Sequence, residues 1–326
     1  MAFASLYSLV FVVGLPLNIA ALCVFHWAER SVTTVYMKNL AFCDMLLLAS
    51  LPLRIYYYSR RPDLPPAVCE VAGLLLLVNM YGSIFLLTCI SWDRCMAVCL
   101  PLSPRARAMR QQAKYICAGV WALSVAGTIP TYIVRSKEKG GCRTLCFDRR
   151  PHYIMAPSVS SAMVLAFALP LTVMVICSYS LLQAVHRSAV AQMELVDGAK
   201  IQHMVVANVA IFLGCFLPFH VAVLCYQVPA LAGERLALAY QCVLLLACAN
   251  ATLDPLAYYF ATETFRHLVP VDHLLRSLAS HSNPAEGAEL LAQPLEAQQP
   301  VASGMKAPAL EGAAVPGAGQ AQCQPL

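Results

Sequence analysis

Residues 74–95 read LLLLVNMYGSIFLLTCISWDRC, and this stretch decides the fold. No charged residue falls between Glu70 and Asp93. A hydrocarbon layer about 30 Å thick takes roughly 20 apolar residues of helix to cross. The run is long enough for that, and it stops abruptly on an Asp-Arg pair. A soluble core has no use for an uncharged run of this length.

Six more runs flank it. With this one, at 67–99, they fall at roughly 4–27, 34–58, 112–134, 156–186, 201–226 and 236–260. In lipid every backbone polar group must be bonded inside the protein, so these are helices and not open strands. Pro52, Pro130, Pro170, Pro218 and Pro255 lie within them. Each would break a soluble helix, but membrane helices tolerate proline because neighbours and water satisfy the freed carbonyls. The expected fold is all-α: a bundle of seven transmembrane helices. Composition agrees, with 60% hydrophobic and 12% charged residues against about 25% charged in soluble domains.

Other classes fit poorly. Most of the 15 cysteines sit inside apolar runs, where they act as small hydrophobes. No C-x-x-C spacing supports a zinc site. No internal repeat argues for an inverted-repeat transporter. No nucleophile–base arrangement argues for an enzyme, and no nucleic-acid partner is expected. From Ala261, ATETFRHLVPVDHLLRSL is amphipathic and is expected to lie on the membrane surface as a short eighth helix, interrupted by Pro270. From Ser280 onward Pro, Ala, Gly and Gln dominate, and disorder is expected. The expected organisation is a membrane domain over 1–279 and a disordered tail over 280–326.

Charge alone does not orient the chain. Cytoplasmic loops should be rich in Lys and Arg. Arg105, Arg107, Arg110, Lys114, Arg187, Lys200, Arg266 and Arg276 fall on one side; Arg60, Arg61, Arg135, Lys137, Lys139, Arg143, Arg149, Arg150 and Arg235 fall on the other. Cysteines decide it instead. Cys69 opens the third span, and Cys142 and Cys146 lie in the long loop after the fourth. Disulfides persist in oxidising compartments, so that loop is expected outside, with the N-terminus extracellular and the C-terminus cytoplasmic.

Polar residues inside hydrocarbon are costly and are functional candidates by default. They are Asn18, Asn39, Asp44, Arg54, Ser83, Asp93, Arg94, Asn208, His220, Asn250 and Asp254. Their order, together with the motifs around them, resembles the rhodopsin-like G-protein-coupled receptors. Gly14 and Asn18 stand in the first span; Asn39-Leu40-Ala41 and Asp44 in the second; Cys69 and Asp93-Arg94-Cys95 in the third. Trp121 and Pro130 follow in the fourth and Pro170 in the fifth. The sixth carries Phe212 and Cys215-Phe216-Leu217-Pro218-Phe219-His220. The seventh carries Asp254-Pro255-Leu256-Ala257-Tyr258, with Phe265 beyond it. Any one of these is weak, but seven in order on seven spans are specific. Leu51-Pro52-Leu53-Arg54, Asp254 in place of the more usual Asn, and Tyr258-Tyr259-Phe260 are similar to the purinoceptor-like branch. GLPLN, NMYGSIF, LCF and LDPLAYYF look closest to its lysophosphatidic acid receptors.

The resemblance implies a multi-pass plasma-membrane receptor that binds an extracellular ligand and activates a heterotrimeric G protein, with arrestin as a further partner. Such receptors carry an extracellular tail before the first span, so the chain is expected to be truncated at its N-terminus. The resemblance implies a disulfide from Cys69 to the long loop, where Cys142 and Cys146 both lie; Cys146 is the expected partner. It assigns Asp93 to hold Arg94 in the resting state and to release it toward the G protein. Phe216, beside the Pro218 kink, matches the aromatic switch, and Asp254, Pro255 and Tyr258 complete the switch set. Asp44, Ser83, Asn250 and Asp254 match a buried sodium-and-water cluster. Two adjacent carboxylates cannot both stay ionised cheaply, so a sodium ion or a shared proton is expected there, and no other cofactor. Two departures matter. Cys95 replaces the usual Tyr, which leaves coupling strength open. The fifth-span tyrosine expected eight residues after Pro170 is Ser178, with Tyr179 one place late.

The ligand is expected to be an anion. Leu76 stands where amine receptors carry their aspartate, and residues 235–260 hold no lysine for a retinal Schiff base. Arg54, in the outer half of the second span, needs an anionic partner from protein or ligand, and its planar guanidinium suits carboxylate or phosphate. Arg135, Lys137, Lys139, Arg143, Arg149 and Arg150 outnumber Glu138 and Asp148 around the entrance, a field that concentrates anions. Leu74, Leu75, Leu76, Leu77, Val223 and Leu244 supply apolar walls. Arg54, Leu76, Tyr81, His220 and Tyr240 are the expected ligand contacts, and an acidic lysophospholipid is the expected ligand. A nucleotide or small carboxylate is the alternative, as is a non-signalling decoy.

Overall fold

The computed structural model describes residues 2–27, 31–60, 64–137, 147, 152–190, 198–228 and 234–261. These fall in one compact unit whose bounds are Met1–Val271. The expected eighth helix, the tail beyond 280 and the 279/280 boundary lie outside the described residues, as do Cys142 and Cys146.

Nine helices appear among the described residues: α1 (Ala2–Trp27), α2 (Val32–Arg60), α3 (Pro66–Cys99), α4 (Pro104–Gln111), α5 (Ala113–Lys137), α6 (His152–Met155), α7 (Pro157–Val190), α8 (Gly198–Tyr226) and α9 (Glu234–Ala261). Seven of them, all but α4 and α6, are long and apolar enough to cross a membrane. The seven expected spans are thus present, and no strand occurs among the described residues. The five prolines named above lie inside α2, α5, α7, α8 and α9. Elsewhere proline starts helices: Pro66 opens α3 and Pro104 opens α4, positions whose N–H has no helical partner anyway. Ser103 caps α4 by accepting from the Ala106 N–H at 3.3 Å.

Between helices in lipid, packing and polar bonds replace the hydrophobic drive. The Asn18 amide donates to Gly14 O at 3.0 Å and to Ala251 O at 2.7 Å, tying α1 to α9. The Trp121 indole donates to Asn39 Oδ1 at 3.0 Å, tying α5 to α2. A Cβ on Gly82 would stand 2.8 Å from Cys43 Sγ, so α3 meets α2 at a distance only glycine allows. A core of Leu40, Tyr81, Leu87, Phe212, Phe216, Phe219 and Tyr258, each 9% exposed or less, fills the centre.

Candidate functional site

Three polar assemblies sit along the bundle axis. The first lies near the Cys69 end of α3. Arg54 is 3% exposed on α2. Its Nη2 donates to Ala72 O at 3.3 Å, its guanidinium sits 4.4 Å from the Phe147 ring centroid, and the Tyr7 hydroxyl lies beside it. Its Nε has no hydrogen-bond partner. Among the described residues no carboxylate pairs with it. Phe147 holds a left-handed backbone, φ 54°, which is unusual for a bulky residue. Its ring packs on Tyr57 at 5.3 Å and Tyr58 at 6.4 Å.

From Arg54 an aromatic row crosses the bundle. Tyr240 lies within electrostatic reach of Arg54. The Phe219 ring stands 5.8 Å from Tyr240 and 5.2 Å from His220. His220 stacks on Phe167 at 4.2 Å and meets the Tyr81 hydroxyl through Nε2 at 3.4 Å. Above the row, α6 is fastened on two sides. The Tyr153 and Tyr240 hydroxyls are 2.9 Å apart, and Gln227 donates to Ile154 O at 2.6 Å. Tyr240, Phe219, His220 and Tyr81 therefore fall along one continuous array, with Arg54 within electrostatic reach of its Tyr240 end.

Leu76, expected as an apolar ligand contact, packs with Tyr7, Leu47, Leu51 and Cys248. Four consecutive leucines do not wall one cavity. Successive helical residues turn by about 100°, so Leu74 and Leu77 line a shallow crevice with Glu70, Gly73, Thr131, Tyr132 and Tyr153. Of the cations expected at the entrance, Arg135 and Lys137 belong to the last turn of α5, while Lys139, Arg143, Arg149 and Arg150 lie outside the described residues. Cys69 is disulfide-bonded; its expected partner, Cys146, lies outside the described residues.

The second assembly is at mid-bundle. Asp44, Ser83, Asn250 and Asp254 are all 0% exposed. Asn250 Nδ2 donates to Asp254 Oδ2 at 2.9 Å. Asn79 Nδ2 donates to Asp44 Oδ1 at 3.0 Å and reaches Ser83 Oγ at 3.5 Å. The two carboxyls are within mutual reach. Asp44 Oδ2, Asp254 Oδ1 and Asn250 Oδ1 have no hydrogen-bond donor. This is a cluster of hard oxygens in want of a proton or cation, and its donor chemistry fits sodium. Asn79 is not in the expected set. Its spacing of four from Ser83 places it on the same helix face, which is the signal the sequence offers.

The third assembly closes the other end of α3. Asp93 is 0% exposed. It accepts from Arg110 Nε at 2.7 Å and from Thr33 Oγ1 at 2.6 Å, with Arg110 Nη2 at 3.5 Å. The expected Asp93–Arg94 pair is therefore corrected: among the described residues no hydrogen bond or ion pair joins the two, and Arg94 Nε has no partner. Adjacent residues on a helix point about 100° apart. Asp93 turns toward α2 and α4, whose donors reach it, and Arg94 stays within its electrostatic reach without a bond to it. Further into the core, Phe216 meets Phe212 edge-on at 5.9 Å and Tyr258 meets Phe25 edge-on at 5.2 Å, while Pro218 and Pro255 lie inside α8 and α9. Ser178 is 7% exposed and Tyr179 is 67% exposed, so the tyrosine faces out of the bundle.

A family model described as "7 transmembrane receptor (rhodopsin family)" matches residues 17–258. Lysophosphatidic acid receptor 5 of Bos taurus is 36% identical over 309 residues, 89% of this chain and 83% of that one. Lysophosphatidic acid receptor 6 of Homo sapiens is 30% identical over 285 residues, 82% of each chain. Purinoceptor 6 of Homo sapiens is 35% identical over 283 residues, 80% of this chain and 84% of that one.

Proposed function

The chain belongs to the seven-transmembrane receptors of the rhodopsin family, a multi-pass membrane receptor and not an enzyme, and from that membership we propose that it binds an extracellular lysophospholipid and activates a heterotrimeric G protein. One observation carries the ligand class. Arg54 is buried, its described neighbours are uncharged, and it lies within electrostatic reach of the aromatic row at Tyr240. A buried cation with no described counter-charge calls for an anionic partner such as a headgroup, and the row suits an acyl chain. Relatives named as lysophosphatidic acid receptors support the same choice. Relatives named as purinoceptors keep a nucleotide as the second reading. Arrestin, plasma-membrane residence and an extracellular N-terminus follow in this reading.

The switch in this reading runs from Phe216 and Pro218 through Asp254, Pro255 and Tyr258 to Arg94. Asp93 is held by Arg110 and Thr33, so Arg94 is left available to the G protein. Cys95 in place of tyrosine favours the decoy as the rival. At mid-bundle Asp44, Asp254, Asn250 and Ser83 would hold sodium, which supplies a positive charge to the paired carboxylates.

The test is G-protein activation in cells expressing the chain, with lysophosphatidic acid in one arm and uridine diphosphate in the other. Activation by the lipid, lost in Arg54→Ala at equal surface expression, is the expected result. Activation by the nucleotide alone selects the second reading. An unchanged lipid response in Arg54→Ala removes the ligand argument. Saturable lipid binding without G-protein activation makes the chain a decoy.

A further inference from the structure

Three thiols crowd together at the Asp93 end of the bundle. Cys95 and Cys99 stand one turn apart on α3, with their Sγ atoms 3.9 Å apart. Cys177 reaches across from α7 to side-chain contact with Cys95. The Cys99 thiol points at the Ser180 carbonyl at 3.7 Å, also on α7. Cys95 and Cys99 are partly exposed, while Cys177 is buried at 5%. Among the described residues no group of His, Cys, Asp and Glu is placed to hold a metal ion. Cys95 is also the residue directly after Arg94.

We propose that Cys95 and Cys177 form a reversible disulfide joining α3 to α7 when the protein meets a hydroperoxide. The Cys95 sulfur attacks the peroxide, the O–O bond breaks, and the released hydroxide takes the thiol proton as water. Cys95 is then a sulfenic acid. The Cys177 sulfur attacks it, the S–O bond breaks, and a second water leaves. Two thiols are oxidised and one hydroperoxide is reduced. The order follows exposure: the partly exposed thiol meets the oxidant first, and the buried one resolves it. In the proposed reading this end faces the cytoplasm, where disulfides are usually transient and redox-sensing, and the free Cys95 and Cys177 suit that use. A bond between Cys95 and Cys99 would span consecutive turns of one helix and restrain nothing. A bond from Cys95 to Cys177 fixes two helices against each other beside Arg94.

The experiment is peptide mapping, which does not depend on the ligand or on signalling. The full chain in lipid nanodiscs is exposed to hydrogen peroxide, remaining thiols are alkylated, and the non-reduced digest is sequenced by mass spectrometry. The expected major product links the Cys95 peptide to the Cys177 peptide through those two sulfurs. Thioredoxin reverses it, Cys177→Ala and Cys95→Ala abolish it, and Cys99→Ala retains it. Cys69, bonded already, is the internal control for disulfide recovery. A link closed through Cys99 overturns the proposal, as does Cys95 oxidised to sulfinic acid with Cys177 still open to alkylation. The wild-type map decides even where a variant fails to fold.

Discussion

Replacing Arg110 with alanine should loosen the bundle at its Asp93 end by about 1.5–2 kcal/mol. Asp93 is 0% exposed and has three donor contacts, two of them from Arg110. A hydrogen bond to a charged group contributes about 1.5–3 kcal/mol net. The 2.7 Å contact merits that range, and the 3.5 Å contact adds little. The Arg110 side chain is 29% exposed, so water competes for it and the low end applies. That still corresponds to more than a tenfold change in the folded ratio. The assay is thermal unfolding in detergent, read by a thiol-reactive fluorophore. Cys43, Cys117, Cys215 and Cys248 are buried and report unfolding as they become exposed. Detergent unfolding is a rate-limited measure, so variants are compared at one scan rate. Arg110→Ala should lower the midpoint by several degrees, and Thr33→Val by a similar amount. Pairing Arg110→Ala with Asp93→Asn should show coupling of about 1 kcal/mol. Additivity within about 0.5 kcal/mol would mean the Arg110–Asp93 contact carries no stability and would refute the reasoning. Basal G-protein exchange should fall in Arg110→Ala, because Arg94 becomes the remaining cation beside Asp93.

Other expectations concern packing and the mid-bundle cluster. Gly82→Ala drives a methyl against Cys43 Sγ at 2.8 Å and should cost about 1–3 kcal/mol; adding Cys43→Ala should recover most of it, and no recovery argues against the clash. Asn208 is 1% exposed and neither of its amide atoms has a partner, so Asn208→Leu should raise the melting midpoint, by removing an unsatisfied amide that costs about 1–3 kcal/mol. Replacing choline by sodium at constant ionic strength should raise the midpoint of the wild type and leave Asp44→Asn unmoved. The absence of any sodium effect in the wild type would assign the Asp44–Asp254 pair to a shared proton.

The spans are readable because lipid allows one backbone solution and hydropathy reports it directly. Asp44, Ser83, Asn250 and Asp254 are readable because ionisable and amide groups in apolar runs are few. What escapes is pairing across the chain. Arg110 looks like one of several loop cations; that it reaches Asp93 depends on α4 folding back beneath α2 and α3, which no local pattern encodes. Asn79 carries no charge and sits unremarked among leucines, although its register with Ser83 is visible. Phe147 lies outside the apolar runs, so no periodicity brings its ring to Arg54. The leucines at 74–77 group together because they are adjacent, and helical rotation separates them.

The surroundings of Arg54 carry a thermodynamic consequence for selectivity. A ligand that enters a site already closed by an internal salt bridge must first break that bridge, and most of its Coulombic gain is cancelled. Here the described neighbours are a carbonyl, a phenol and a ring face, none of which competes as an ion. Affinity across a headgroup series should therefore track the charge delivered to one guanidinium, with acyl length as a separate, additive contribution. Neutral lipids of equal chain length would lose the first contribution entirely and keep the second.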